Sequence, residues 1–300
     1  MDSPVIQLEG VSKSFGATAA LSDVGWSVGS GQIVALLGPN GAGKTTAIAI
    51  MAGIRRPDTG RVRIFGLDPA HPSVRVRRSV MLQDCETIDF LTVREAVVLF
   101  RSYYRNGIDV DVALGHAGLS QLAQRRADGL SHGNKQRLFF AQAIVGAPEL
   151  LFLDEPTVGM DVEARRALHD FVRGRRAAGC TIVLTTHDLA EADELADRVL
   201  LLANGRLVQD ASPAQLKRNT QSLNSWIRFR PAASAQLSIL REVPGVLETR
   251  TEGDQLALLV NNPGEVVAAL VNLHVPLTDL VVEGPSLEDA FVAMTRRDGA

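Results

Sequence analysis

Cysteine is nearly missing from this chain: of 300 residues only Cys85 and Cys180 carry thiols, and they lie far apart. Two such residues build neither a disulfide framework nor the paired spacing of a zinc site, and a reducing compartment fits them. No apolar run approaches the roughly 18 residues that span a bilayer, so any work at a membrane falls to the spans of another chain. Met1 to Gly10 lacks the basic stretch and apolar core of a secretory signal. Neither sign of charge is in excess: 31 Lys and Arg against 34 Asp and Glu leave a net −3, which argues against a dedicated nucleic-acid binder. The local arginine clusters, at Arg75, Arg77 and Arg78, at Arg125 and Arg126, and at Arg173, Arg175 and Arg176, read as solvated faces. Sustained heptads are absent too, which excludes a long coiled coil. What remains is the composition of a soluble globular protein, 46% hydrophobic and 22% charged, long enough for one large domain or two.

One stretch stands out against these absences: Gly38-Pro39-Asn40-Gly41-Ala42-Gly43-Lys44-Thr45-Thr46. The apolar run Ile33 to Leu37 before it predicts a buried strand, and Ala47 to Ala52 after it predicts a helix closed by Gly53. A glycine-rich turn between strand and helix is the setting of a phosphate-binding P-loop. Glycines let several backbone N–H groups face one point, and the helix N-terminus adds partial positive charge there. Lys44 reaches the outer phosphates, and the Thr45 hydroxyl suits a Mg²⁺ ion.

Further along, Val5 to Leu8, Val24 to Val28 and Arg61 to Phe65 predict short strands of an antiparallel layer beside the P-loop strand. Phe15, in a loop upstream of Lys44, either stacks on a nucleotide base or packs in the core. Val80 to Leu82 form a strand ending at Gln83, and the region from Thr92 to Val145 reads as a helical insert opened by a Thr92–Glu95 capping box. Within it Ser131 and Gly133 open a second helix, where they serve as an ordinary N-cap or as an anion site. Glu149 to Thr157 delivers Asp154 and Glu155 at the end of a buried strand. Strand geometry points neighbours to opposite sides, which gives them different tasks: Asp154 for Mg²⁺, Glu155 for positioning or deprotonating a water. The strand Thr181 to Thr186 ends at His187, and Asp188 with Glu191 predicts a capping box directly after it. Asn204-Gly205 marks a hairpin. After a polar linker the pattern restarts with strand Trp226 to Arg230, helix Ala233 to Glu242, strands Val246 to Thr251 and Gln255 to Val260, helix Gly264 to Leu273, strand Thr278 to Glu283 and helix Leu287 to Thr295; the first six, in the order β-α-β-β-α-β, match a ferredoxin-like split motif.

Taken in order, these motifs resemble the nucleotide-binding subunit of an ATP-binding cassette (ABC) transporter, over about Val5 to Ala211. The resemblance implies an α/β P-loop NTPase cassette at 1–218, with an antiparallel β layer and a helical subdomain at about 85–145, followed by a small α+β domain at 222–300. By that resemblance GPNGAGKTT is the Walker A, with Gly38, Asn40, Gly41, Gly43, Lys44, Thr45 and Thr46 on the phosphates. Gln83 is the Q-loop glutamine, near the metal with Thr45 and Asp154; LSHGNKQ is the signature, LLFLDEP the Walker B, and Val158 to Asp161 the D-loop. His187 is the switch histidine, and Phe15 matches the adenine-stacking aromatic. The signature more usually reads LSGGQ; here His132 and Asn134 replace its first glycine and its glutamine, while Ser131 and Gly133 are kept.

The implied activity is ATP hydrolysis with ATP and Mg²⁺ bound, Glu155, His187, Gln83 and Lys44 carrying the chemistry. The implied partners are a second copy in an ATP-dependent homodimer and a separate transmembrane permease, at the cytoplasmic face of the plasma membrane. The C-terminal extension resembles that of bacterial drug-resistance-type exporters, which implies export of a drug-like or lipid-like substrate. Alternatives are an importer ATPase, or a soluble cassette protein of translation or DNA repair; the latter usually carries two cassettes or a long coiled-coil insert. A GTPase is disfavoured, because Asn134-Lys135 lacks an aspartate two positions on.

Overall fold

A computed structural model describes residues 3–284 apart from 84, 89, 220–223, 232–239 and 241–242, and the chain divides into two compact units, Met1–Ser212 and Pro213–Ala300. The division comes ahead of the short helix at Pro213–Asn219, which therefore groups with the second unit instead of closing the first at 218.

The first unit begins with β1 (Ile6–Phe15), β2 (Thr18–Val28), β3 (Ile33–Leu37), α1 (Lys44–Met51), β4 (Thr59–Ile64), α2 (Pro72–Arg75) and β5 (Arg78–Met81). It continues with α3 (Val93–Arg101), α4 (Val110–His116), α5 (His132–Ile144), β6 (Leu150–Asp154), α6 (Val162–Ala177), β7 (Thr181–Thr185), α7 (Leu189–Leu195), β8 (Arg198–Ala203) and β9 (Arg206–Ala211). Six of the strands form one sheet in the order β5-β6-β7-β3-β8-β9. All its pairings are parallel except the β8–β9 hairpin, turned by Asn204 and Gly205 at φ 48° and 73°, the two left-handed residues a tight hairpin turn needs. β3, β6 and β7 are buried at every residue, as apolar strands covered on both faces must be. Because they run parallel, their C-terminal ends open on a single edge, where open α/β sheets bind ligands. Register aligns those ends: Thr185 stands opposite both Leu36 and Asp154, and Leu153 opposite Met81.

A second, antiparallel sheet in the order β2-β1-β4 shares its core with α1 and the large sheet. Its Ile6, Leu8, Val24, Trp26 and Ile64 pack with Ile48, Ile50, Val34 and Phe152. β1 and β2 run well beyond the expected Val5–Leu8 and Val24–Val28, because their register slips between Leu8 and Val11, where Gly10 adopts φ 58°. Such a bulge breaks the two-residue alternation by which a strand is read. Between β5 and β6 the described residues carry α3, α4, a short 3₁₀ turn and α5 but no strand. α3 starts at the expected capping box: Thr92 Oγ1 accepts from Glu95 N at 3.2 Å, and Glu95 Oε2 from Thr92 N at 2.8 Å.

The second unit holds α8 (Pro213–Asn219), β10 (Ser225–Arg230), β11 (Val246–Glu252), β12 (Gln255–Val260), α9 (Pro263–Asn272) and β13 (Thr278–Glu283). Its antiparallel sheet has the order β11-β12-β10-β13, so β12 lies between β10 and β11, the interleaving of a split β-α-β motif. Ile227, Phe229, Leu256, Leu258, Val266 and Leu270 form its core. The expected helix at 233–242 falls almost wholly, and that at 287–295 wholly, outside the described residues. Among the described residues no helix is long and apolar enough to cross a membrane.

Candidate functional site

At the end of β3 the chain turns through Gly38 to Gly43 into α1, which starts at Lys44, three residues before the expected Ala47. A Cβ on Gly38 would stand 2.2 Å from the Leu202 carbonyl oxygen, and one on Gly43 2.3 Å from that of Ala20. Gly43 also sits at φ 102° as the N-cap of α1, so this turn accepts only glycine at both positions. The Lys44 side chain is buried and curls over the loop, donating from Nζ to the Gly38 and Pro39 carbonyls at 2.8 and 3.1 Å. Burial pushes its pKa down, against the opposing charges of Glu155 and Asp154.

Asp154 closes β6 with no exposed surface. Its Oδ1 accepts the Thr185 hydroxyl, while its buried Oδ2 has no hydrogen-bond partner. Burial raises its pKa above the usual carboxylate range; the Thr185 and Thr45 hydroxyls oppose this, Glu155 adds to it, and Lys44 counters it. An orphaned carboxylate oxygen this deep is the position a cation fills. With the Thr45 hydroxyl beside it, the donors at this position are hard oxygens, the ligand chemistry that Mg²⁺ takes.

Glu155 follows at φ 49°, a left-handed backbone that a non-glycine residue rarely takes. Two hydrogen bonds hold it there, from its N–H to the Thr185 carbonyl at 3.1 Å and to the Thr185 hydroxyl at 2.9 Å. This twist removes the simple strand alternation between Asp154 and Glu155. Glu155 Oε2 accepts from Gln83 Nε2 at 3.3 Å and lies 3.2 Å from His187 Nδ1. One carboxylate thus meets side chains from the loops after β5 and β7. A cleft of about 550 Å³ runs past them, lined by Asn40, Gly41, Gly43, Lys44, Thr45, Thr46, Gln83, Glu155 and His187.

Thr18 and Ala20 at the start of β2 also line this cleft; no sequence motif marks them, and they come into it by the close approach of Ala20 to Gly43. Gly38, Asp154, Phe15, Ser131 and Gly133 do not line it, Asp154 lying buried behind it. Phe15 is exposed, which excludes the core reading, and its ring is flanked by the Arg55 guanidinium at 5.2 Å and Lys13 Nζ at 5.8 Å. Ser131 is the N-cap of α5, accepting from Asn134 N at 3.4 Å. A Cβ on Gly133 would meet the Gly159 carbonyl oxygen at 2.4 Å, and one on Gly159, at φ 74°, would meet the His132 ring at 2.6 Å. His132 therefore packs its ring over Gly159, and the start of α5 is locked to the loop before α6. The Asp188–Glu191 capping box is only half formed. Asp188 accepts from Ala190 N and Glu191 N, but Glu191 turns inward and is buried, where it bonds Thr157 and His169.

A family model described as ABC transporter matches residues 21–158. The Nod factor export ATP-binding protein I of Rhizobium johnstonii is 32% identical over 315 residues, covering 99% of each chain. The daunorubicin/doxorubicin resistance ATP-binding protein of Streptomyces peucetius is 32% identical over 303 residues, covering 97% of this chain and 92% of that one. Among solved structures, an ATP-binding subunit of an ABC transporter superposes with a TM-score of 0.67 at 28% identity, over 72% of this chain and 92% of the other.

Proposed function

The chain belongs to the ATP-binding subunits of ABC transporters, and from that premise we propose that it hydrolyses ATP in the cleft described above to drive export through a separate membrane chain. The observation that carries this reading is the convergence on Glu155 Oε2 of Gln83 and His187, beside the Lys44 loop. The backbone N–H groups and Lys44 bind the phosphates, and Phe15 stacks on the base. Thr45, Gln83 and Asp154 would hold Mg²⁺, which would supply positive charge against the phosphates. Glu155 takes a proton from the attacking water, with His187 and Gln83 orienting its carboxylate and sensing the γ-phosphate.

Ser131 and Gly133 stand outside the cleft of their own chain, at the N-terminus of the 13-residue helix α5. They serve the nucleotide of a second copy, so that two chains sandwich two ATP molecules. Closure and reopening of this dimer with phosphate state moves a membrane-spanning permease held at the cytoplasmic face of the plasma membrane. Relatives named for Nod factor export and for daunorubicin/doxorubicin resistance support outward transport of a drug-like or lipid-like substrate. Isolation of the tagged chain from detergent-solubilised membranes tests the reading. A multi-span membrane protein that stimulates its ATPase activity and exports substrate in reconstituted vesicles is the expected result; a ribosome as the stoichiometric partner overturns it.

A further inference from the structure

Among the described residues, the most deeply buried contact between a histidine and a carboxyl group joins α6 to α7. His169 of α6 is 5% exposed and Glu191 of α7 is 2% exposed. The His169 ring places Nε2 3.1 Å from Glu191 Oε1 and Nδ1 3.3 Å from Glu194 Oε2. Glu194 is also bonded by Arg173, which pairs in turn with Asp170, and Arg165 bridges α6 to the Asp188 cap at 3.1 Å in a more exposed setting. The other oxygen of Glu191 accepts the Thr157 hydroxyl at 3.3 Å.

Thr157 lies two residues beyond Glu155, and α7 begins two residues beyond His187. Glu191 is therefore tied on one side to the loop that carries the carboxylate and rides on the helix that follows the histidine. Its carboxyl group is buried and bonded by Thr157 and His169, so its position is strongly determined.

We propose that His169 is a positioning residue: through Glu191 and Thr157 it fixes the loop of Glu155 against the loop of His187 and so sets the 3.2 Å approach of His187 Nδ1 to Glu155 Oε2. This inference rests on the reading of Glu155 and His187 given under the proposed function. It adds a residue that touches neither nucleotide nor water. α6 thereby takes part in aligning the site, although no motif lies on it at this position.

The test is a kinetic comparison in the full-length protein of His169→Gln, Thr157→Val, His187→Ala and the His169→Gln/His187→Ala pair, each with a thermal melt and a direct ATP-binding titration. His169→Gln removes the ring that bonds Glu191, whereas Thr157→Val keeps the His169–Glu191 contact and cuts only the link to the Glu155 loop. The proposal predicts that both lower kcat about tenfold or more while the Kd for ATP stays within about twofold. It also predicts that adding His169→Gln to His187→Ala costs no further rate, because both act on one alignment. A folded Thr157→Val protein with wild-type kcat overturns it, as does a double variant whose losses multiply. Wild-type turnover in His187→Ala would overturn the reading of the site itself, so the two failures are told apart.

Discussion

Asp154 is where function and stability oppose one another most plainly. Its carboxylate is fully buried with one oxygen unpartnered, and burial holds its pKa up. A folded-state pKa above the unfolded value favours the native state while the group is protonated, and that advantage is lost as pH rises through the folded pKa. Above the unfolded pKa the protein is therefore less stable with this carboxyl group than with a neutral group of the same shape. Asp154→Asn is expected to raise the thermal midpoint of the nucleotide-free protein at neutral pH while abolishing Mg²⁺-dependent turnover. Midpoints measured across the carboxylate range should show wild type and variant together in acid and separating as pH rises; a gap that widens toward acid contradicts the assignment. Much at this level was readable in advance. Lys44, Asp154, Glu155 and His187 are marked by residue type at the ends of apolar runs, because a parallel sheet leaves polar chemistry only at its edges. Glu191 was not, since a glutamate three residues after Asp188 has the spacing of a capping box and nothing local shows that it turns inward. Nor could spacing show that Glu155 leaves the strand conformation, since its φ of 49° depends on hydrogen bonds to Thr185, thirty residues away.

The start of α5 and the loop before α6 are joined by contact of backbone with backbone. With a Cβ on Gly133 only 2.4 Å from the Gly159 carbonyl oxygen, Gly133→Ala must push the two apart. The expected outcome is loss of ATPase activity with ATP binding to the single chain preserved, measured by turnover beside a binding titration; activity near wild type would mean that the contact is dispensable. Thr92→Ala, by removing one half of a complete capping box, should lower the stability of the unfolding unit that contains α3 by about 1 kcal/mol in a denaturant titration. Elements with strong local signals are the ones the sequence makes legible: β3 and its glycine turn, the Thr92 box, the Asn204-Gly205 hairpin. β1 and β2 were foreshortened because their bulges interrupt the alternation, and the approach of β2 to the P-loop is a tertiary fact without a local signature.

For the chain as a whole, every residue that lines the cleft lies in the first unit, and the second has its own sheet and core. A chain ended after Ser212 should therefore still bind ATP, and its nucleotide-free self-association and recruitment to membranes should weaken. Loss of ATP affinity in a protein that remains folded would place the second unit in the nucleotide site. The order β11-β12-β10-β13 follows from the element sequence expected for a split motif, yet which surface that sheet offers to a partner is not written in its alternation. In the first unit the same limit holds for the signature stretch: its spacing marks a helix start, and only its position outside its own cleft points to a second copy.

In the proposed reaction Glu155, held between Gln83 and His187, removes the proton from the attacking water. Its most direct test is the nucleotide found on purified Glu155→Gln protein after incubation with ATP and Mg²⁺, read beside the rate of phosphate release. Intact ATP retained on the protein and turnover at least about a hundredfold below wild type are expected; bound ADP with phosphate released at the wild-type rate would rule out Glu155 as the base.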